Sequence, residues 1–315
     1  MADLGTYTKP LAYLGLFSLA TTAFNFTRSA TNYLRPSTLV KTYNPTGTNW
    51  ALVTGATDGI GFGFAQELCA RGFNVILHGR NAEKLQRRQR ELQAEFPNVK
   101  LGFVVRDAQN ITNDIDGVDD EVRRIVGADS LTVLINNVGG ETRPSTLLKE
   151  YTFEDVDATV SRNATFMIQI TRALARHLEE NSPALVMNVS SVAAFGLPYI
   201  TAYGATKGFV DSFTRSLRAE FGAEGKDVNV MGLRVAEVKT AGYDIKSTLF
   251  VPEARVLAGA SLNRVGCGDE IVWAYFWHWL QGLSFDILPR WMMLKVAGMK
   301  LKAIRADMTA KAKSS

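Results

Sequence analysis

The sequence predicts an α/β protein built on a doubly wound parallel sheet. Three observations carry that reading. Short apolar runs recur between residues 50 and 233, most of them followed by a helical pattern. The first run opens directly onto a glycine-rich turn, Thr54-Gly55-Ala56-Thr57-Asp58-Gly59-Ile60-Gly61. No internal repeat or low-complexity linker interrupts the alternation. Strands that read as continuous apolar runs belong to a sheet covered on both faces, and right-handed crossovers wind it in both directions. The ligand crevice of such a sheet lies beyond the C-terminal ends of its strands.

Residues 50–54 form the first strand, and a helix follows through Phe64, Ala65, Leu68 and Cys69 to a stop at Gly72. Asn74 to Leu77 is the second strand. Ala82 to Phe96 is a charged amphipathic helix whose Arg87-Arg88-Gln89-Arg90 run reads as a solvated face. Residues 99–105 and 131–135 make the third and fourth strands. Phe153 to Leu178 is one long helix, Ala184 to Val189 the fifth strand, Tyr203 to Phe221 a helix and Val228 to Leu233 the sixth strand.

Two flanks surround this body. Residues 1–46 read as a hydrophobic, membrane-associating lead, because Pro10 to Thr27 runs 18 residues without a charge. As a helix that stretch is about 27 Å long, close to the thickness of a thin bilayer. Ser18, Thr21, Thr22 and Asn25 interrupt it, so a crossing, a helix lying on a membrane and a helix lying on the body all stay open. Lys9 before it and Arg28, Arg35 and Lys41 after it place the body on the cytosolic side. Residues 246–315 form an aromatic-rich helical extension, with Trp273, Trp277, Trp279 and Trp291 inside 19 residues. That segment reads as a greasy substrate wall or membrane-interface element, or else as ordinary core or a homodimer contact. Lys295, Lys300, Lys302 and Arg305 then make a basic helix able to meet anionic head groups.

The 315 residues are 46% hydrophobic and 21% charged, a globular composition. A net charge of +4, from 35 bases and 31 acids, points away from nucleic acid as a partner. Two cysteines, Cys69 and Cys267, make neither a disulfide framework nor a zinc site and suit a reducing compartment. His78, His177 and His278 lack metal-ligand spacing, so no metal is expected.

In the glycine turn, Gly55 permits the tight bend and Gly59 the close approach of a pyrophosphate. Gly61 lets the helix pack closely, its N-terminus facing the phosphates. Thr57, Asp58 and Ile60 belong to the same dinucleotide-binding turn. The second strand ends Leu77-His78-Gly79-Arg80-Asn81, without the acid that would hold the ribose hydroxyls of NAD. Arg80 can instead hold a 2′-phosphate, which selects NADPH/NADP+. Asp107 is placed either to accept from the adenine amino group or to cap its loop. Asn136, opening the Asn-Asn-Val-Gly139 run, can line the cofactor and pin the sheet edge.

Tyr203 and Lys207 lie four apart on a helix, hence on one face. Ketone reduction needs a proton for the developing alkoxide while hydride arrives from a nicotinamide. A phenol titrates near 10, and lowering that by about 3 units takes about 4 kcal/mol of interaction with a neighbouring ammonium. The expectation is that Lys207 lowers the pKa of Tyr203. Ser190 and Ser191 end the fifth strand, where a hydroxyl can orient a carbonyl. Asn163 can hold a water joining Lys207 to solvent.

With these motifs together, the chain resembles the short-chain dehydrogenase/reductase superfamily over residues 49–245, so that 47–245 reads as a Rossmann-like, dinucleotide-binding catalytic domain. The resemblance implies a catalytic set of Asn163, Ser190 or Ser191, Tyr203 and Lys207, with Lys207 also holding the ribose. The family's usual interval of 13 residues to the tyrosine selects Ser190. Anchoring on the strand Leu-Val-Met-Asn-Val-Ser-Ser191 selects Ser191, with the loop one residue short around Ala194–Gly196, and this is preferred. Val235-Ala-Glu-Val238-Lys-Thr240 stands where the family commonly has Pro-Gly-x-Val-x-Thr; Val238 and Thr240 can still meet the carboxamide and phosphates. Within the superfamily the chain looks most like the microsomal very-long-chain 3-oxoacyl-CoA reductase/17β-hydroxysteroid dehydrogenase group. The likeness rests on Trp50 to Gly61, the valine of Asn-Asn-Val-Gly139, Leu249-Phe-Val-Pro252 and the lead ending Leu34-Arg-Pro-Ser37. It implies an NADPH-dependent enzyme of the endoplasmic reticulum membrane facing the cytosol. Lys311-Ala-Lys313-Ser-Ser315 resembles a lysine-type retrieval tail. The expected substrate is a hydrophobic ketone: a long-chain 3-oxoacyl-CoA first, a steroid or specialised-metabolite ketone second. A non-catalytic nucleotide-binding membrane scaffold is the alternative of another class.

Overall fold

The computed structural model describes residues 4–111, 115, 117–143, 146–243 and 245–314, with the side chains of 4–7, 286 and 307–314 left aside. The lysine tail at 311–315 therefore lies outside the described side chains. In chain order the elements are α1 (Leu4–Asn32), α2 (Leu39–Tyr43), β1 (Trp50–Val53), α3 (Gly59–Ala70), β2 (Asn74–Gly79), α4 (Ala82–Glu95) and β3 (Leu101–Val105). There follow α5 (Val118–Val126), β4 (Leu131–Asn136), α6 (Phe153–Val160), α7 (Phe166–Glu180), β5 (Ala184–Ser191), α8 (Thr201–Ala223) and β6 (Val228–Val235). The chain ends with α9 (Ala254–Leu262), β7 (Ile271–Trp273), α10 (Phe276–Ile287) and α11 (Arg290–Ser314).

The sheet runs β3-β2-β1-β4-β5-β6-β7 with every neighbouring pair parallel. Its order reverses direction between β1 and β4, which sets the crevice at their C-terminal ends. Successive residues feed opposite cores, since strand side chains alternate. Ala51, Val53, Val75 and Leu77 join Phe64 and Leu68 of α3 and Leu257 of α9 on one face. Trp50, Leu52, Ile76 and Leu134 join Val122 of α5 and Ile170 and Leu174 of α7 on the other. This double cover is what the apolar strand runs required.

Three parts differ from the sequence reading. The long helix is divided by a π-helical turn at Ser161–Thr165. A seventh strand, Ile271–Trp273, takes the first tryptophan of the aromatic segment into the sheet. The segment then splits: Trp279 is buried, whereas Trp291 is 67% exposed.

The lead is helical, but among the described residues no helix is long and apolar enough to cross a membrane. The root of α1 is fixed to the body. Arg28 pairs with Asp269, Asn32 Nδ2 donates to Asp269 Oδ2 at 2.7 Å, and Arg264 donates to the Asn32 carbonyl at 2.6 Å. Phe26 meets Trp279 at 5.3 Å between centroids. Beyond that root, Leu11, Leu14, Phe17 and Leu19 are each at least 65% exposed. Of the basic residues on α11, Lys300 is bound to Glu237 at 2.7 Å and Arg305 to Glu150 at 2.7 Å, so these two charges are spent inside the molecule.

Candidate active site

The turn between β1 and α3 is fixed by what it excludes. Gly55 and Gly59 sit at φ +67° and +52°, where a side chain is strained. A Cβ on Gly61 would stand 2.1 Å from the Gly55 carbonyl oxygen. Asp58 caps α3 by accepting from the Gly59 N–H at 2.7 Å. Neighbouring elements brace the bend. His78 Nδ1 accepts from the Gly55 N–H at 3.3 Å. Asn137 donates to the Thr54 carbonyl at 2.9 Å, and Thr54 Oγ1 accepts from the Asn137 and Val138 N–H groups at 2.8 and 3.1 Å. Arg88 of α4 donates from Nε to the Thr57 carbonyl at 2.9 Å. Burial, and next the Arg106 charge, push His78 down to about 3, so the ring stays neutral and can accept.

The reacting groups gather at the ends of β4 and β5. Gly204 lets α8 approach the turn after β5, for a Cβ there would lie 3.0 Å from the Ala193 carbonyl oxygen. This brings the Ser191 hydroxyl close enough to Tyr203 to favour the phenolate against burial, while Ser191 Oγ accepts from the Ala193 N–H at 3.1 Å. Ser190 is turned the other way, buried and donating to the Lys207 carbonyl at 3.3 Å. Lys207 Nζ is buried, donates to the Val189 carbonyl at 2.8 Å and lies 5.6 Å from the Tyr203 ring centroid. Asn163 sits in the π-helical turn. Its Nδ2 donates to the Thr159 and Gly140 carbonyls at 2.8 and 2.9 Å, and its Oδ1 accepts from the Gly140 N–H at 2.8 Å. Gly139 stands between the two: a Cβ there would be 2.8 Å from Asn163 Oδ1 and 3.1 Å from Lys207 Nζ.

The electrostatics overturn one expectation. Lys207 does not draw the phenol of Tyr203 down. Desolvation raises the phenol above its usual 10; the Ser191 hydroxyl opposes this and the Glu141 carboxylate adds to it. Burial also weakens Lys207 as a cation, bringing it down to about 8 against the opposing pull of Asp211. Desolvation disfavours both charged forms, and an ammonium committed to a backbone carbonyl does not compensate the phenolate.

A family model described as short chain dehydrogenase matches residues 49–246, the span that holds both the turn and these side chains. The chain is a short-chain dehydrogenase. It is 31% identical over 81% of its length to the very-long-chain 3-oxoacyl-CoA reductase of Mus musculus, covering 80% of that protein. It is 34% identical over 76% of its length to the very-long-chain 3-oxoacyl-CoA reductase-like protein of Arabidopsis thaliana, covering 78% of it. Among solved structures, the bulky-bulky ketone specific alcohol dehydrogenase from Comamonas testosteroni superposes with a TM-score of 0.63 at 25% identity, over 78% of this chain and 96% of that one. A short-chain dehydrogenase from Sphingobium yanoikuyae in complex with NADPH shares the fold, with a TM-score of 0.61 at 24% identity over 77% and 97% of the two chains. Membership makes the chain an oxidoreductase.

As a short-chain dehydrogenase the molecule fits a dinucleotide: the glycine cradle has no room for side chains, and Arg80 is exposed at the end of β2. The other residues expected to contact it fare unequally. Asn136 is buried, its Nδ2 donating to Thr171 and Asn188 at 2.9 Å each, so it pins β4 to β5 and α7, while its Oδ1 makes no hydrogen bond among the described residues. Asp107 caps its own loop, accepting from the Gln109 N–H at 3.0 Å and from Asn110 at 3.1 Å. Arg80 donates to Gln109 at 3.0 Å. Val238 is buried, Thr57 is half-buried, and Ile60 packs on the core. Thr240 closes on the turn, its methyl 3.1 Å from where a Gly59 Cβ would be.

Four contributors were not apparent in the sequence. Arg88 looked like a solvated charge. His78 looked like the end of an apolar strand. Glu141 follows the Asn-Asn-Val-Gly139 run and acts on Tyr203 only through space. Arg162, half-buried, donates to Thr142 at 3.1 Å and shares the field of Arg80 and Asp107. Its place beside Asn163 was visible; its direction was not.

Proposed function

We propose that this short-chain dehydrogenase reduces a ketone on a hydrophobic acyl chain with NADPH, a long-chain 3-oxoacyl-CoA being the first substrate. The observation that carries the reading is the Tyr203–Lys207 pair, with Nζ 5.6 Å from the phenol ring centroid, on the same span as the glycine cradle; a phenol protonated at neutral pH can supply the proton that a reduction requires. The 3-oxoacyl-CoA assignment is supported by the names of the relatives aligned over about four-fifths of the chain. Arg80 supports a 2′-phosphate, and neither residue directly after β2, Arg80 or Asn81, is a carboxylate that would repel one.

NADPH, when bound, supplies the hydride. Ser191 lies within electrostatic reach of Tyr203, so a carbonyl oxygen bound between them meets two hydroxyl donors at once. Tyr203 gives its proton to that oxygen as charge develops. Lys207 holds the ribose, and Asn163 keeps the loop at Gly140 against the π-helical turn so that the ammonium is backed by a fixed wall. Ser190 serves the backbone of α8 and touches no substrate.

We also place the molecule against a membrane, with α1 immersed and the sheet on the cytosolic side of the endoplasmic reticulum. The support is the free helix surface of Leu11, Leu14, Phe17 and Leu19 and the exposed Trp291.

A panel of 3-oxoacyl-CoA chain lengths and steroid ketones, followed by NADPH absorbance, tests the substrate. Turnover restricted to steroid ketones, or equal use of NADH, overturns the reading. Tyr203→Phe should lose on the order of 10³-fold in turnover, the share of a positioned acid, while binding NADPH as before. Near-normal turnover would remove Tyr203 from its role.

A further inference from the structure

Beyond β6 the chain must carry Val238 and Thr240 to the glycine turn, yet no proline stiffens it between Pro198 and Pro252. The rigidity comes from elsewhere. His278 of α10 is fully buried and touches the strand exit at both ends of its excursion. Its Nδ1 accepts from the Ala236 N–H at 3.3 Å. Its Nε2 faces the Glu237 carbonyl at 3.1 Å and the Phe250 carbonyl at 3.2 Å. An N–H can only donate and a carbonyl can only accept, so one neutral tautomer, with the proton on Nε2, satisfies all three. Tyr275 packs edge-on against the ring at 5.3 Å, which fixes its plane. The held segment then reaches Lys239, whose N–H donates to the Pro252 carbonyl at 3.0 Å, and Thr240, seated against Gly59.

We infer that His278 is a positioning residue through which the C-terminal extension sets the dinucleotide site, by clamping Ala236 and Glu237 to Phe250 and so holding Thr240 on the glycine turn. This rests on the dinucleotide reading given above. No contact of His278 with substrate or cofactor is involved. A ring that merely filled space would be replaceable by another ring, whereas a clamp needs an acceptor and a donor on one side chain.

The test compares the full chain with His278→Ala, His278→Phe and His278→Gln. NADPH affinity is read by fluorescence titration, and amide hydrogen exchange at 236–240 is read against β1 and β2. Phenylalanine keeps the packing and removes the hydrogen bonds; glutamine keeps an acceptor and a donor. Loss of the clamp in His278→Ala and His278→Phe should weaken NADPH binding about tenfold, as expected for freeing buried backbone groups. Exchange should quicken at 236–240 alone, turnover at saturating NADPH should change little, and His278→Gln should recover most of the affinity. Wild-type affinity and exchange in His278→Phe, or exchange quickened equally throughout, overturns the inference. If His278→Ala does not fold, His278→Phe and His278→Gln decide the matter. Should the wild-type chain bind no dinucleotide at all, the functional reading falls, and exchange at 236–240 alone then decides the clamp.

Discussion

Lys207 and Tyr203 are both desolvated, and each leaves a mark on pH dependence. The folded pKa of Lys207, about 8, lies below the 10.5 of a solvated lysine. The unfolded chain therefore holds the extra proton between those values, and stability rises with pH across that window. Below about 8 the buried ammonium costs on the order of 3 kcal/mol. Lys207→Met should therefore gain stability relative to wild type at neutral pH, and the gap should close as pH climbs towards 10.5; denaturant unfolding at stepped pH reads this, and parallel curves would refute it. Tyr203 gives the complementary signature. Because its phenol is held above the ordinary range, ketone reduction should vary little between about pH 6 and 8 while alcohol oxidation, which needs the phenolate, climbs with pH. Steady-state rates in both directions check it. Spacing alone brought Tyr203 and Lys207 onto one helical face. It could not say which way their charges would move, because that depends on how many neighbours exclude water.

At the scale of elements, the strands and the Gly55–Gly61 turn were legible because each leaves a local pattern: apolar runs for β1 to β6, and glycines with no alternative at the bend. What stayed hidden is whatever depends on distant partners. Ile271–Trp273 is three residues long and carries a tryptophan, so nothing in it distinguishes an edge strand from an aromatic loop. The π-helical turn at Ser161–Thr165 adds one residue to a helix whose apolar spacing continues on both sides. Such insertions often mark functional sites, and here the turn presents Asn163 to Gly140. Arg88 is a similar case: the α4 pattern reads as solvent-facing, yet its side chain is only 20% exposed and bonded to Thr57. Arg88→Ala should loosen the turn and weaken NADPH binding by roughly three- to tenfold, with helix content unchanged, which titration and circular dichroism measure together. Unaltered affinity would return Arg88 to the solvated face.

For the whole molecule, the root of α1 decides whether the lead and the sheet behave as one body. Arg264 is buried, donates to the carbonyls of Asn32 and Tyr33 at 2.6 and 3.3 Å, and lies 4.3 Å from the Tyr33 ring centroid. Arg264→Ala should lower stability by about 2–4 kcal/mol and expose the segment after α1 to trypsin at Lys41, since one buried and one part-buried carbonyl lose their donor. Cleavage and melting like those of wild type would show that the root is held by its aromatic contacts instead. The sequence showed an apolar lead and an aromatic tail as separate flanks. Their meeting, Phe26 on Trp279 and Tyr33 on Phe276, links residues more than 240 apart and has no local signature. A shorter separation matters for His278, which lies 42 residues after Ala236. During synthesis β1 to β6 leave the ribosome well before α10, so a nascent chain owns its glycine cradle while the exit of β6 is still untethered. Catalytic competence then arrives late in translation, and a chain halted short of α10 would carry a complete tyrosine–lysine pair beside a site it cannot hold shut.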